Sequence, residues 1–154
     1  MTKTHMQDMV DFHEKFDLAY NGKPRALPKE LADFRFGFLK EELHEYKDAT
    51  HILDLELNTE GRPHDPGIVT ATMEDQLDAM VDLAYVLFGT AYLHGYADRW
   101  QEAWDRVHAA NMAKVRATDA SQSARGSTLD VVKPKGWVKP THVDLVEDNI
   151  HNAG

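Results

Sequence analysis

Three carboxylates crowd the segment FLKEELHEYKDA, residues 38–49: Glu41, Glu42 and Glu45, backed by Phe38, Leu39, Leu43 and Tyr46. On a helix each residue turns by about 100°, so Glu42 and Glu45 lie about 60° apart and Glu41 and Glu45 about 40° apart. The run therefore aims two or three carboxylates one way. A second set stands in LDAMVDLAYV, where Asp78 and Asp82 are four residues apart among apolar neighbours. If a bundle closes around that helix, both aspartates are buried, and a buried carboxylate calls for a partner. Each set has an ordinary explanation. EELHE by itself suits a solvated helix face, and Asp78 and Asp82 suit salt bridges to Lys or Arg. Together, on adjacent helices, they suit a hard divalent cation. Mg²⁺ or Mn²⁺ takes carboxylate oxygens, keeps several waters and commonly meets substrate phosphates. His44 and His51 are near in sequence, but without an HExxH spacing zinc is a poor fit.

The elements that must position these groups read as helices. Residues 4–20 place Met6, Met9, Val10, Phe12, Phe16 and Tyr20 at spacings of three and four, which predicts an amphipathic helix. NGKP, residues 21–24, ends it. A long helix follows from Lys29 to about Leu57, with a kink or break near Thr50 left open. NTEGRPHDPGIV, residues 58–69, reads as a loop, after which Thr70 or Thr72 caps a third helix running to about Leu93. That helix is apolar on most sides, as a bundle centre requires. A fourth spans roughly Asp98 to Val115. From about residue 117 the pattern fades, with SQSARGS a polar, mobile loop and KPKGWVKP an irregular strap. The expected fold is all-α: one domain over residues 1–154, a bundle of four main helices with an irregular C-terminal segment.

With 154 residues and 42% apolar content, the chain suits one compact domain. It holds no cysteine, so neither disulfides nor thiolate metal sites are available. The net charge of -9, from 26 acidic and 17 basic residues, argues against nucleic-acid binding. No run has the make-up of a signal peptide or a membrane span, which gives the expectation of a cytoplasmic protein.

These residues resemble a known family. EELHE is similar to the EExxE motif of the MazG-like all-α nucleoside triphosphate pyrophosphohydrolases. LDAMVDLAYVLFGTAYLHG, VHAANMAKV and KPKGW, in that order, resemble the branch related to phosphoribosyl-ATP pyrophosphohydrolase. The resemblance covers roughly residues 6–140. By position, Glu42 and Glu45 match the metal-holding ExxE pair, Glu41 the leading glutamate, and Asp82 the aspartate of the family's ExxD motif. The chain departs from the pattern three residues before Asp82, where it has Ala79. Asp78 is the substitute expected here. A rival frame pairs Asp75 with Asp78, but Asp75 lies nearer the expected helix start, where an acid is explained by the helix dipole.

The resemblance implies Mg²⁺- or Mn²⁺-dependent hydrolysis of a nucleoside triphosphate to monophosphate and pyrophosphate, with Glu41 or Glu42 orienting the attacking water. Asn111 and Lys114, one turn apart, are candidates for the triphosphate, as is Lys135. Phe12, His13 and Trp137 are candidates for the base. Arg35 and Lys40 flank the acidic run and stand to offset its charge. A phage-like look points to dGTP or GTP and a host-cytoplasm setting, with a homo-oligomer, dimer or tetramer, as the assembly. A pyrimidine nucleotide, phosphoribosyl-ATP, or a non-catalytic helical interaction protein are the alternatives. No GxxxxGK[ST] loop is present, which argues against an energy-coupled NTPase.

Overall fold

The computed structural model describes residues 4–147. The chain divides into two compact units, residues 1–97 and 98–154.

The first unit is built on three helices: α1 (His5–Lys15), α2 (Lys29–Asn58) and α3 (Pro66–Leu93). Helices α2 and α3 form an antiparallel pair. Residues early in α2 meet residues late in α3, as in the bonds from Arg35 to Thr90 and Val86. Residues near the α2 end meet the α3 start, as in the bond from the Asp65 backbone to Glu56. The register has a simple cause. The residues α2 buries, Glu42, Ala49 and Glu56, are seven apart. The α3 residues Thr72, Ala79, Val86 and Leu93 follow the same spacing. A seven-residue repeat keeps one narrow seam facing the partner helix. Alanine at 49 and 79 lets the backbones approach, and Glu42 occupies a seam position normally held by an apolar side chain.

Helix α2 runs unbroken through Thr50. That side chain donates to the Tyr46 carbonyl at 2.8 Å and accepts from Gln76 of α3 at 2.9 Å, so a residue that disfavours helix interiors is held on both sides. Helix α3 starts five residues earlier than a Thr70 cap would place it, and seven earlier than a Thr72 cap would. Asp65 caps it by accepting from Gly67 N, with Pro66 at the first helical position. Helix α1 stops at Lys15 rather than reaching Tyr20. Asp17 takes a φ of 57°, which Asp tolerates better than most residues. The following strap is then tied to the end of α3: Tyr20 N donates to Tyr92 Oη at 2.9 Å, and Arg25 Nε to Leu93 O at 3.0 Å. Gly95 ends α3 at φ 80°, where a Cβ would meet the Lys23 carbonyl at 2.8 Å, so only glycine lets the strap pass.

The seam leaves much of α3 uncovered. Leu77, Met80, Val81 and Leu87 are exposed, as are Asp78 and Asp82. The expected burial of the two aspartates is therefore not seen within one chain, because one neighbouring helix and the short α1 cannot surround α3.

The second unit holds α4 (Trp100–Met112), shorter at both ends than expected, an antiparallel ribbon of β1 (Val115–Arg116) and β2 (Val131–Val132), a 3-10 turn (Ala120–Gln122), and α5 (Val143–Val146). The SQSARGS stretch is not loose. Ser123 is buried and donates to Asp130 at 2.7 Å, and Arg125 pairs with the same carboxylate at 2.9 Å. Arg106 of α4 clasps Asp144 of α5 with two bonds, at 2.7 and 2.6 Å. Among the described residues, no helix is long and apolar enough to cross a membrane.

Candidate active site

The antiparallel register brings the two carboxylate sets together. Glu42 sits in the seam with 7% of its surface exposed, while Glu41, Glu45, Asp78 and Asp82 stand at the edge of the seam, open to solvent. Burial pushes the Glu42 carboxyl above its ordinary value, and the negative charges of Glu45, Asp82, Glu41 and Asp78 push it further. No hydrogen bond or ion pair satisfies any of these five carboxylates among the described residues. Asp78 and Asp82 thus make no salt bridge to Lys or Arg among the described residues. Neither flanking cation offsets the acidic run. Arg35 bonds elsewhere, and Lys40 lies 5.8 Å from the Phe36 ring centre.

Like charges that converge around a buried carboxylate, with no protein cation between them, fit a divalent ion. The convergence is open rather than a ready-made cage: among the described residues, no group of three Asp, Glu or His side chains is drawn close enough to enclose an ion. Asp78 and Asp82 both act on Glu42, and Asp75 is not among the charges that do. Because α3 begins at Pro66, Asp75 lies well inside the helix and its charge is not explained by the helix start. His44 and His51 are exposed.

A cavity of about 230 Å³ opens beside the carboxylates. It is lined by Glu42 and Asp82 at one side and by Phe12, His13, Arg35, Phe38, Tyr85 and Gly89 elsewhere. Phe12 and His13 were expected at a base pocket. Arg35, Phe38, Tyr85 and Gly89 carry no local sequence signal that distinguishes them from ordinary amphipathic-helix residues. His13 is buried, stacks on Tyr92 with ring centres 4.3 Å apart, and has Nδ1 2.8 Å from the Met9 carbonyl. A carbonyl only accepts, so Nδ1 carries the hydrogen and Nε2 the lone pair.

Burial lowers the His13 pKa from its usual 6.5; the Met9 bond opposes this and the charge of Arg35 adds to it. The unfolded chain thus takes up a proton more readily than the folded one. The stability this supplies is complete above the unfolded value of 6.5 and is lost as pH falls below it. Relative to a His13→Gln variant, the wild-type melting temperature should drop further between about pH 7.5 and 5.5. A constant difference across that range would reject the buried neutral imidazole.

In the second unit, Trp137 is half-buried, and its indole N–H donates to the Ala110 carbonyl at 2.7 Å. Lys114 lies 5.8 Å from the ring centre and Lys133, which sequence reasoning missed, 4.8 Å. Asn111 and Lys135 are exposed and take no part in this cluster.

The family model for phosphoribosyl-ATP pyrophosphohydrolase matches residues 9–111, well over half of the chain. The chain belongs to this family. The matched stretch runs from within α1 to the last turn of α4 and contains both carboxylate sets, His13 and Arg35; the ribbon, Trp137 and α5 lie beyond it. No curated protein matches the chain. Membership in the phosphoribosyl-ATP pyrophosphohydrolase family gives the molecule an all-α fold and a nucleotide pyrophosphohydrolase activity.

Proposed function

We propose that the chain hydrolyses a nucleoside triphosphate, with dGTP or GTP the best substrate, to the monophosphate and pyrophosphate in a Mg²⁺- or Mn²⁺-dependent reaction. The observation that carries this reading is the unpartnered convergence of Glu41, Glu45, Asp78 and Asp82 on buried Glu42. Glu42, Glu45, Asp78 and Asp82 would hold the metal. When bound, the ion neutralises charge on the phosphate oxygens and makes a coordinated water more acidic. Glu41, or Glu42 itself, would orient the water and take its proton. Water attacks the α-phosphorus, the bond to the α,β-bridging oxygen breaks, and that oxygen leaves with the pyrophosphate.

Phe12 and His13 would meet the base. The working form would be a homo-oligomer, since the exposed Leu77, Met80 and Val81 suit a second copy of the chain. A host-cytoplasm setting for a phage enzyme agrees with this chemistry.

The family match favours a second reading, in which phosphoribosyl-ATP is the substrate and the same bond is cut. One screen separates them: all common NTPs and dNTPs and phosphoribosyl-ATP, each with Mg²⁺ or Mn²⁺, with products identified. Pyrophosphate is the expected product. Release of orthophosphate would refute the reaction, and preference for dCTP, dUTP or phosphoribosyl-ATP would refute only the substrate.

A further inference from the structure

The guanidinium of Arg35 is an unusual wall for an apolar cavity. It is half-buried, and burial holds its pKa below the usual arginine value. Among the described residues no carboxylate pairs with it, although Glu42 and Asp82 line the same cavity. Its Nε donates to Thr90 Oγ1 at 3.0 Å and its Nη2 to the Val86 carbonyl at 2.7 Å. A guanidinium has five N–H donors, so three are left over. A half-buried cation with spare donors and no anion suits a place where a ligand supplies electronegative atoms.

Beside it lies His13, whose Nε2 is an acceptor by the tautomer argument and has no hydrogen-bond partner among the described residues. The two heads meet over Gly89. A Cβ at that position would stand 3.0 Å from Arg35 Nη2 and 3.5 Å from His13 Cε1, so the absent side chain keeps open the space where they converge. Phe12, Phe38 and Tyr85 supply flat apolar walls. A second cavity of about 390 Å³ shares Phe12, His13 and Arg35 with the first. The aromatic rings of Phe12, Phe38 and Tyr85 beside the two heads suit the faces of a planar heterocycle, while the carboxylates Glu42 and Asp82 line the same cavity.

We propose that Arg35 and His13 read the edge of the nucleobase, Arg35 donating to a ring carbonyl oxygen and its neighbouring acceptor while His13 Nε2 accepts from the adjacent ring N–H. Guanine presents that order along one edge: N7, O6, then N1–H. Adenine places an amino group where O6 would be, turning one of its hydrogens toward the hydrogens of Arg35, and its N1 has no hydrogen to donate to His13 Nε2. Arg35 is then a specificity-determining residue, and base choice is set in the family-matched part of the chain rather than by Trp137. The inference rests on the nucleotide reading above and names the group that enforces it.

The test uses full-length protein with Mg²⁺ and the monophosphates, which cannot undergo pyrophosphate release. Calorimetric titration should show dGMP bound at least about tenfold more tightly than dAMP. The 2-aminopurine deoxynucleotide, which lacks O6 and N1–H, should bind wild-type protein like dAMP; this arm needs no variant. Arg35→Lys keeps the charge but loses the planar fork, and should bring dGMP to within about threefold of dAMP. Equal binding of dGMP and dAMP by the wild type overturns the proposal. So does an Arg35→Lys variant that weakens both by one factor, which is the signature of a phosphate or packing role. If no triphosphate is hydrolysed while dGMP is still preferred, the reaction assignment falls and the reading of the base stands.

Discussion

Glu42→Gln, Glu45→Gln and Asp82→Asn should each lower the rate of pyrophosphate release at least about a hundredfold, and excess EDTA should abolish it. A hundredfold corresponds to about 2.7 kcal/mol of lost transition-state stabilisation, which is modest for removing one charged ligand from a divalent ion. The amides keep the shape of the acids, so the fold is retained. Glu42 offers a second readout. Its carboxylate is held in the seam against four like charges. Glu42→Gln should therefore raise the melting temperature of metal-free protein while shrinking the rise that Mg²⁺ or Mn²⁺ produces. Asp78→Asn should weaken apparent metal affinity, and Asp75→Asn should not, because Asp78 and Asp82 share the neighbourhood of Glu42. Damage from Asp75→Asn alone would shift the ligand frame toward the helix start. Full activity of Glu45→Gln, or full activity in EDTA, would remove the metal from the reaction altogether.

A double substitution, Leu77→Glu with Val81→Glu, should convert a homo-oligomer at micromolar concentration into monomers and lower the melting temperature sharply. Leu77 and Val81 are 60% and 55% exposed in the single chain. With Met80, Ala84, Tyr85 and Phe88, and with His5, Asp8 and Met9 of α1, they line an open groove of about 380 Å³. Apolar surface removed from water is worth about 25 cal/mol per Å², so a helix left this bare gains by meeting a second copy. A glutamate buried at such an interface without a partner costs several kcal/mol, enough to break most assemblies. Sedimentation of wild-type protein as a fully active monomer would contradict this outright.

Much of this molecule was decided by local sequence. Spacings of three and four set the helices, because apolar side chains at those intervals share one face whatever lies opposite. The pairing of Glu42 with Glu45 and of Asp78 with Asp82 was legible for the same reason: one helical turn aligns them before any tertiary contact forms. Helix ends were less legible. Thr70 and Asp65 are both good caps; Pro66 at the first helical position and the anchoring of Asp65 N by Glu56, nine residues earlier, favour the earlier start. The choice of Glu42 as the buried carboxylate also needed the tertiary structure. Glu41, Glu42 and Glu45 are alike in sequence, and the α2–α3 register alone puts position 42 in line with Ala49 and Glu56. The Arg35 wall was out of reach of any local pattern. Its partners are 51 and 55 residues away, and its meeting with His13 depends on a missing Cβ at Gly89. Periodicity reports which face of a helix is apolar; it carries no information on which distant residue that face will meet.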